Sequence, residues 1–410
     1  MNAMLMQVVF AFVLVLGLLS PDLGSSTADA NPNSFDVSNY GAVGDGSRDD
    51  SDAFLKAWNA ACSKETDHPT VIVPGSKTFL VHPVFFKGPC KATSITFQVL
   101  GRIIAPASPQ AWKGLDPSQW LAFKSVKGLE ITGSGIINGQ GSGWWTRHAG
   151  IILTCHELQT MKLCSCEETT LRDLHFLDSP QMHIAILGCN GVHVKNLTIT
   201  APELSPNTDG IHIQSSDNVT INDTVIGTGD DCVSIGDLTS NINVSYVRCG
   251  PGHGISIGSL GKEGNSVQVE NIHVSKVDFK GTTNGARIKT WPTGRGYVKG
   301  VTFEHLYFNS VQNPIIIDQN YCLEDDVRGA CAKTQTGVHI SDVQFNNLFG
   351  TSATDVAITL NCSSSVACTG IFFKSIQLKS NKTGSTVTST CSNAHGNIFG
   401  VVKPNPCIQI

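Results

Sequence analysis

The sequence predicts an all-β chain wound into a single-stranded right-handed parallel β-helix, a solenoid with a short N-terminal capping helix. Three observations carry the prediction. A segment of alternating residues recurs along the chain, the composition is rich in glycine and poor in charge, and one early stretch reads as a helix instead.

The first element is a leader. Val8 to Leu19 (VVFAFVLVLGLL) is an apolar run of signal-peptide length, too short to span a bilayer comfortably, and Ala28-Asp29-Ala30 offers a small-x-small cleavage site. Residues 1–30 therefore read as a signal peptide and 31–410 as one parallel β-helix domain of a secreted protein. The n-region departs from the usual pattern, since the first basic residue is Arg48. No later apolar segment is long enough for a membrane span. The cysteine count of 14 is even and fits an oxidising compartment. Cys322/Cys331 and Cys362/Cys368 read as small-loop disulfides, with Cys391/Cys407 closing the C-terminal end. Sequons at Asn196, Asn218, Asn222, Asn243, Asn361 and Asn381 agree with secretion.

The next element differs from all that follow. Asp50-Ser51 before AFLKAW has N-cap and helix character, with Phe54, Leu55 and Trp58 on one side. Such a helix would cover the open end of a solenoid, which otherwise exposes core and unpaired backbone. The acidic residues around it, Asp45, Asp49 and Asp50, are read as structural.

Then the repeats begin: LEITGSGI, TTLRDLHF, VHVKNLTI, VTINDTVI, INVSYVRC, VQVENIHV, VTFEHLYF, VHISDVQF and IFFKSIQL. Their fifth positions are Gly133, Asp173, Asn196, Asp223, Tyr246, Asn271, His305, Asp342 and Ser375, roughly 23 to 40 residues apart. Period-two alternation says strand, and short strands that cannot bury a face alone must stack. A sandwich gives no reason for such similarity, and propeller blades would be longer and more uniform. Gly at 40 residues and charged residues at 15% suit many short strands joined by turns. A net charge of −5 argues against a nucleic-acid partner, which needs a basic surface, so any polyanion site must be a local basic cluster.

Four polar clusters interrupt consecutive repeats: Asn207-Thr208-Asp209-Gly210, Gly229-Asp230-Asp231-Cys232, Gly252-His253-Gly254 and Arg287-Ile288-Lys289-Thr290. Residues one coil apart stack at about 4.8 Å in a β-helix, so these clusters should lie above one another on one face. Three carboxylates, an imidazole and two cations then converge. Stacked carboxylates repel, so at least one should keep its proton to higher pH than an isolated Asp. One protonated and one ionised carboxyl is what glycosidic cleavage needs. Plain readings exist for each part: Asn and Asp ladders stabilise turns, a histidine between glycines can be a turn residue, and Arg287 with Lys289 can line a solvated edge. Adjacent Asp230 and Asp231 beside a third carboxylate are hardest to explain that way.

At these residues the sequence resembles the polygalacturonases, pectin-degrading glycoside hydrolases. N-T-D, G-D-D, G-H-G and R-I-K occur in that order, FDVSNYGAVGDGSRDDSDAF is similar to the start of plant members, and Ser179-Pro180 with His183 and Tyr321 in DQNYC match as well. The resemblance implies inverting hydrolysis of α-1,4-linked galacturonic acid, without metal or organic cofactor; a monomer is expected because the solenoid ends read as capped. It assigns Asp230 as general acid, Asp209 and Asp231 to the attacking water, and His253 to tuning the acid. Arg287 and Lys289 would bind the substrate carboxylate, with Asn207, His183 and Tyr321 as further substrate contacts. Inversion calls for acid and base carboxyls about 6.5–9.5 Å apart, expected between Asp230 and at least one of the other two. GISIGSLGK and TWPTGRG are similar to plant pollen-type exopolygalacturonases, which act from the non-reducing end. The rivals are an endo-acting enzyme, a Ca²⁺-dependent pectate lyase using the same carboxylates, a relative acting on a rhamnose–galacturonate backbone, and a non-catalytic β-helix that binds cell-wall carbohydrate.

Overall fold

The computed structural model describes residues 32–145 apart from 67 and 117, then 159–322 and 335–409. The leader read at residues 1–30 and the Cys331 half of one expected disulfide lie outside the described residues.

Among these residues every coil contributes parallel strands. One eleven-stranded sheet runs from Val84–Lys87 to Thr388–Ser392 and includes Ile211–Gln214, Val233–Ile235, Ile255–Leu260, Asn284–Thr290 and Asn313–Asp318. The remaining strands form a second assembly whose later members are long, such as Asp217–Gly227 and Ser266–Lys280. The fold is the expected right-handed parallel β-helix.

The long strands bend because each coil carries two left-handed corners five residues apart. Asp173, Asn196, Asp223, Tyr246, Lys276, His305, Asn347 and Ser375 form one ladder of such corners. Glu168, Gly191, Asn218, Asn241, Asn271, Gly300, Asp342 and Gly370 form the other. Asn, Asp and Gly recur there because they adopt positive φ most readily. The repeat read from sequence therefore merges two ladders: Asn271 and Asp342 belong to one, most of the other fifth positions to the second. Between the corners, apolar side chains point inward. Val192, Val219, Ile242, Ile272, Val301, Val343 and Ile371 stack in register through the core and are all buried. Phe303, Phe345 and Phe373 stack likewise, with centroids 5.5 and 5.2 Å apart.

The helix Ser51–Cys62 caps the first coils. Phe54 and Trp58 are fully buried against Phe79, Phe86, Phe97 and Phe123. Asp50 does not cap the helix with its side chain. Its carboxylate instead accepts from the backbone N–H groups of Val43 and Gly44, bracing the preceding loop. The Cys362–Cys368 and Cys391–Cys407 disulfides form as expected; Cys62–Cys90 and Cys232–Cys249 were not legible in the sequence.

Candidate active site

The carboxylates sit on turns that enter the eleven-stranded sheet. Asp209 precedes the strand Ile211–Gln214 and Asp231 precedes Val233–Ile235; the N–H of Gly210 donates to the Asp231 carbonyl at 2.9 Å. One coil on, the N–H of His253 donates to the Asp230 carbonyl at 2.8 Å. Gly229 is required here because a Cβ would lie 2.0 Å from the Ser205 carbonyl oxygen, so the two turns touch through backbone. Immediately after Asp231, Cys232 is tied to Cys249, fixing the double-aspartate turn to the neighbouring strand.

Arg287 and Lys289 point outward from Asn284–Thr290, where the alternating Ala286 and Ile288 face the core. They lie further along the strand than expected: register places Arg287 on Ser256, three residues past His253. Outward-facing His212, Ser234, Ser256 and Arg287 thus form one column across the cleft floor.

Asp231 is the most constrained group. It is 1% exposed; its Oδ1 accepts from Ser256 Oγ at 2.7 Å and Arg287 Nη2 at 2.6 Å, and its Oδ2 from Lys289 Nζ at 3.0 Å. Burial alone would raise its pKa, but the two cations and the hydroxyl overcome burial and hold it at about 2. Asp209 behaves oppositely. Burial, followed by repulsion from Asp230 and Asp231, pushes its pKa well above the ordinary carboxylate range, against weaker pulls from Ser234 and Lys289. Asp230 is the carboxyl nearest solvent, its side chain 18% exposed, with Oδ1 3.0 Å from His253 Nδ1. The expected split between proton-holding and ionised carboxyls is present, but the group pushed upward is Asp209.

One oxygen from each of Asp230 and Asp231 and one ring nitrogen of His253 lie within 4.8 Å of one another, a grouping that could in principle hold a cation. The oxygens of Asp231 already accept from two positive groups, however, so a divalent ion there would sit against Arg287 and Lys289. That donor set suits an ionised carboxylate better than a metal. Asp230 and Asp231 also approach more closely than an acid–base pair separated by a water requires.

These side chains line a cleft of about 670 Å³ that also takes in Met182, Asn207, His212, Trp291 and Tyr321. Asn207 is exposed at the rim, with φ of 55°. Tyr321 packs edge-on against Trp291 at 5.4 Å, and the Lys289 ammonium lies 5.5 Å from its ring centroid.

Residues 62–403 match the family model for Glycosyl hydrolases family 28. The chain belongs to glycosyl hydrolase family 28. Among relatives of this family 28 hydrolase, a probable polygalacturonase of Arabidopsis thaliana is 46% identical over 92% of the chain and 81% of its own length. A polygalacturonase of Malus domestica is 40% identical over 93% of the chain and 81% of its own length. The polygalacturonase from Erwinia carotovora superposes with TM-score 0.70 at 24% identity, over 86% of this chain and 94% of that one. An exopolygalacturonase from Thermotoga maritima superposes with TM-score 0.74 at 19% identity, over 90% and 91%. Both show the same fold.

One expected site residue of the family 28 hydrolase is placed elsewhere. His183 was read as a substrate contact, but its ring is fully buried and does not line the cleft. Burial lowers its pKa to about 4, so it is neutral. The Nδ1–H tautomer satisfies two contacts, donating to the Asp209 carbonyl and accepting the Ser179 N–H at Nε2, which also lies 3.3 Å from the Thr200 carbonyl. It fixes the Asp209 turn from behind, while its neighbour Met182 faces the cleft. His212, Ser234 and Ser256 went unread. A signal was available: each lies three residues after Asp209, Asp231 or His253.

Proposed function

We propose that this family 28 hydrolase cleaves α-1,4-galacturonosyl linkages of polygalacturonan with inversion, acting in the cell wall as a secreted monomer. The observation that carries the reading is the convergence of Asp209, Asp230 and Asp231 with Arg287 and Lys289 on one cleft. Asp230, reachable from the cleft and hydrogen-bonded to His253, donates its proton to the leaving glycosidic oxygen. Asp209, whose elevated pKa makes it the stronger base once ionised, takes the proton of the attacking water. Asp231 stays ionised and orients that water. The reaction needs Asp230 to carry a proton and Asp209 to be ionised when the water attacks.

Arg287 and Lys289 serve twice. They hold Asp231 down, and both line the cleft, where the carboxylate of a galacturonate ring would dock. Asn207 and Tyr321 line the same cleft and complete the sugar contacts. Exo action from the non-reducing end rests on GISIGSLGK and TWPTGRG; the apolar leader and the disulfides support secretion.

The test uses de-esterified polygalacturonan without calcium. Reducing ends should appear without absorbance of unsaturated product, and proton NMR should show the β-anomer first. Monomer alone in the product pool marks exo action. Unsaturated product, or the α-anomer first, overturns the mechanism.

A further inference from the structure

Two segments of the cleft wall are unused by this chemistry: the end of Ile255–Leu260 with the turn after it, and the turn after Thr290. They are locked together through backbone. The Trp291 N–H donates to the Leu260 carbonyl at 2.8 Å, and a Cβ on Gly261, which has φ of 82°, would lie 2.5 Å from the Gly294 Cα. This close approach carries the next residue, Lys262, over the indole of Trp291, its ammonium 5.1 Å from the ring centroid. Trp291 is 1% exposed, its ring N–H has no acceptor among the described residues, and it packs edge-on against Tyr321. Tyr321 in turn neighbours Lys289. The wall therefore reads Lys289, Tyr321, Trp291, Lys262: a cation at each end of two aromatic rings. Asp237, which also lines the cleft, accepts from the Leu238 and Gln268 backbone N–H groups through Oδ1.

We propose that Lys262 is a second ligand for substrate carboxylate, gripping the uronate of the ring beyond the one held at Arg287 and Lys289. The proposal rests on the polygalacturonan reading above. Every ring of that polymer carries a carboxylate, so a cleft holding two rings gains from two separated cations. A lysine already resting on an aromatic face loses less rotamer freedom on binding than one in free solvent. Lys262 is a substrate-positioning residue, remote from the reacting atoms. Its counterpart explanation, a lysine that only stabilises the turn, makes different predictions.

The experiment compares wild type, Lys262→Met and Lys262→Arg on de-esterified polygalacturonan at low and high salt. Lys262→Met should raise KM about three- to tenfold at low salt with kcat within twofold, and the gap should shrink as salt screens the contact. Lys262→Arg should restore KM. An unchanged KM, or a rise that is independent of salt, overturns the proposal. Should wild type fail to hydrolyse the polymer, the activity reading falls instead. Direct binding of an oligogalacturonate to wild type and Lys262→Met then decides the proposal: weaker binding by the variant supports it and equal affinity overturns it.

Discussion

Two buried aspartates of one cluster have opposite stability consequences: burial and then neighbouring carboxylates push Asp209 up, while at Asp231 two cations overcome burial. Asp231 has a depressed folded pKa, so its contribution is present above the unfolded value of about 3.9 and is lost as pH falls towards about 2. Asp209 has a raised folded pKa, so the native state holds a proton that the unfolded chain has released, and stability falls as pH rises above about 3.9. Asp209→Asn should therefore inactivate the enzyme while raising its melting temperature at neutral pH by about 1–3 °C. That gain should vanish near pH 3, where both forms are neutral; a variant that melts lower than wild type at pH 7 contradicts the assignment. Asp230→Asn should lower kcat by about 10²–10⁴-fold with KM little changed, measured as reducing ends, because it removes proton donation and leaves the binding cations intact.

At the scale of the coil, the corner ladders explain why the repeats were visible and where they misled. Alternation and polar centres identify a coil, but two left-handed corners five residues apart look alike in one sequence, so Asn271 and Asp342 share a repeat position with residues of the other ladder. The four polar clusters are legible because acidic and basic residues are scarce in this chain and recur at coil spacing. Ser234 and Ser256 were not, since serine is common and its meaning comes from the strand register. His183 misled because the direction of a side chain next to Ser179-Pro180 cannot be derived from alternation. Corners of similar appearance also differ in tolerance. His305, at φ of 53° and half exposed, should accept Asn within about 0.5 kcal/mol, as both residues adopt that conformation readily. Gly133 is different: at φ of 141°, a Cβ would sit 1.9 Å from the Val99 carbonyl oxygen. Gly133→Ala should cost about 3 kcal/mol or more through backbone displacement, seen as a large drop in the urea midpoint beside a neutral or improved His305→Asn.

Across the whole molecule, a solenoid couples each coil mainly to its neighbours, so damage at one end should spare a site many coils away. Trp58 tests this. Its ring is fully buried against Phe86, Phe97 and Phe123, and its Nε1–H donates to the Lys87 carbonyl at 3.0 Å. Trp58→Ala removes the centre of the cap, costs about 3–5 kcal/mol locally, and opens apolar core and unpaired strand backbone to solvent. The Cys62–Cys90 disulfide still anchors the end of the helix near the first coils, so the cap should loosen and not detach. Light scattering should then show end-to-end association on mild heating, well below the temperature at which wild type aggregates. Activity per folded molecule at 25 °C should stay within about twofold of wild type, because Asp209, Asp230 and Asp231 sit on later coils that keep their own neighbours. Loss of activity in step with the cap would show that the coils melt as one cooperative unit and that the end helix holds the catalytic coils as well as the first ones.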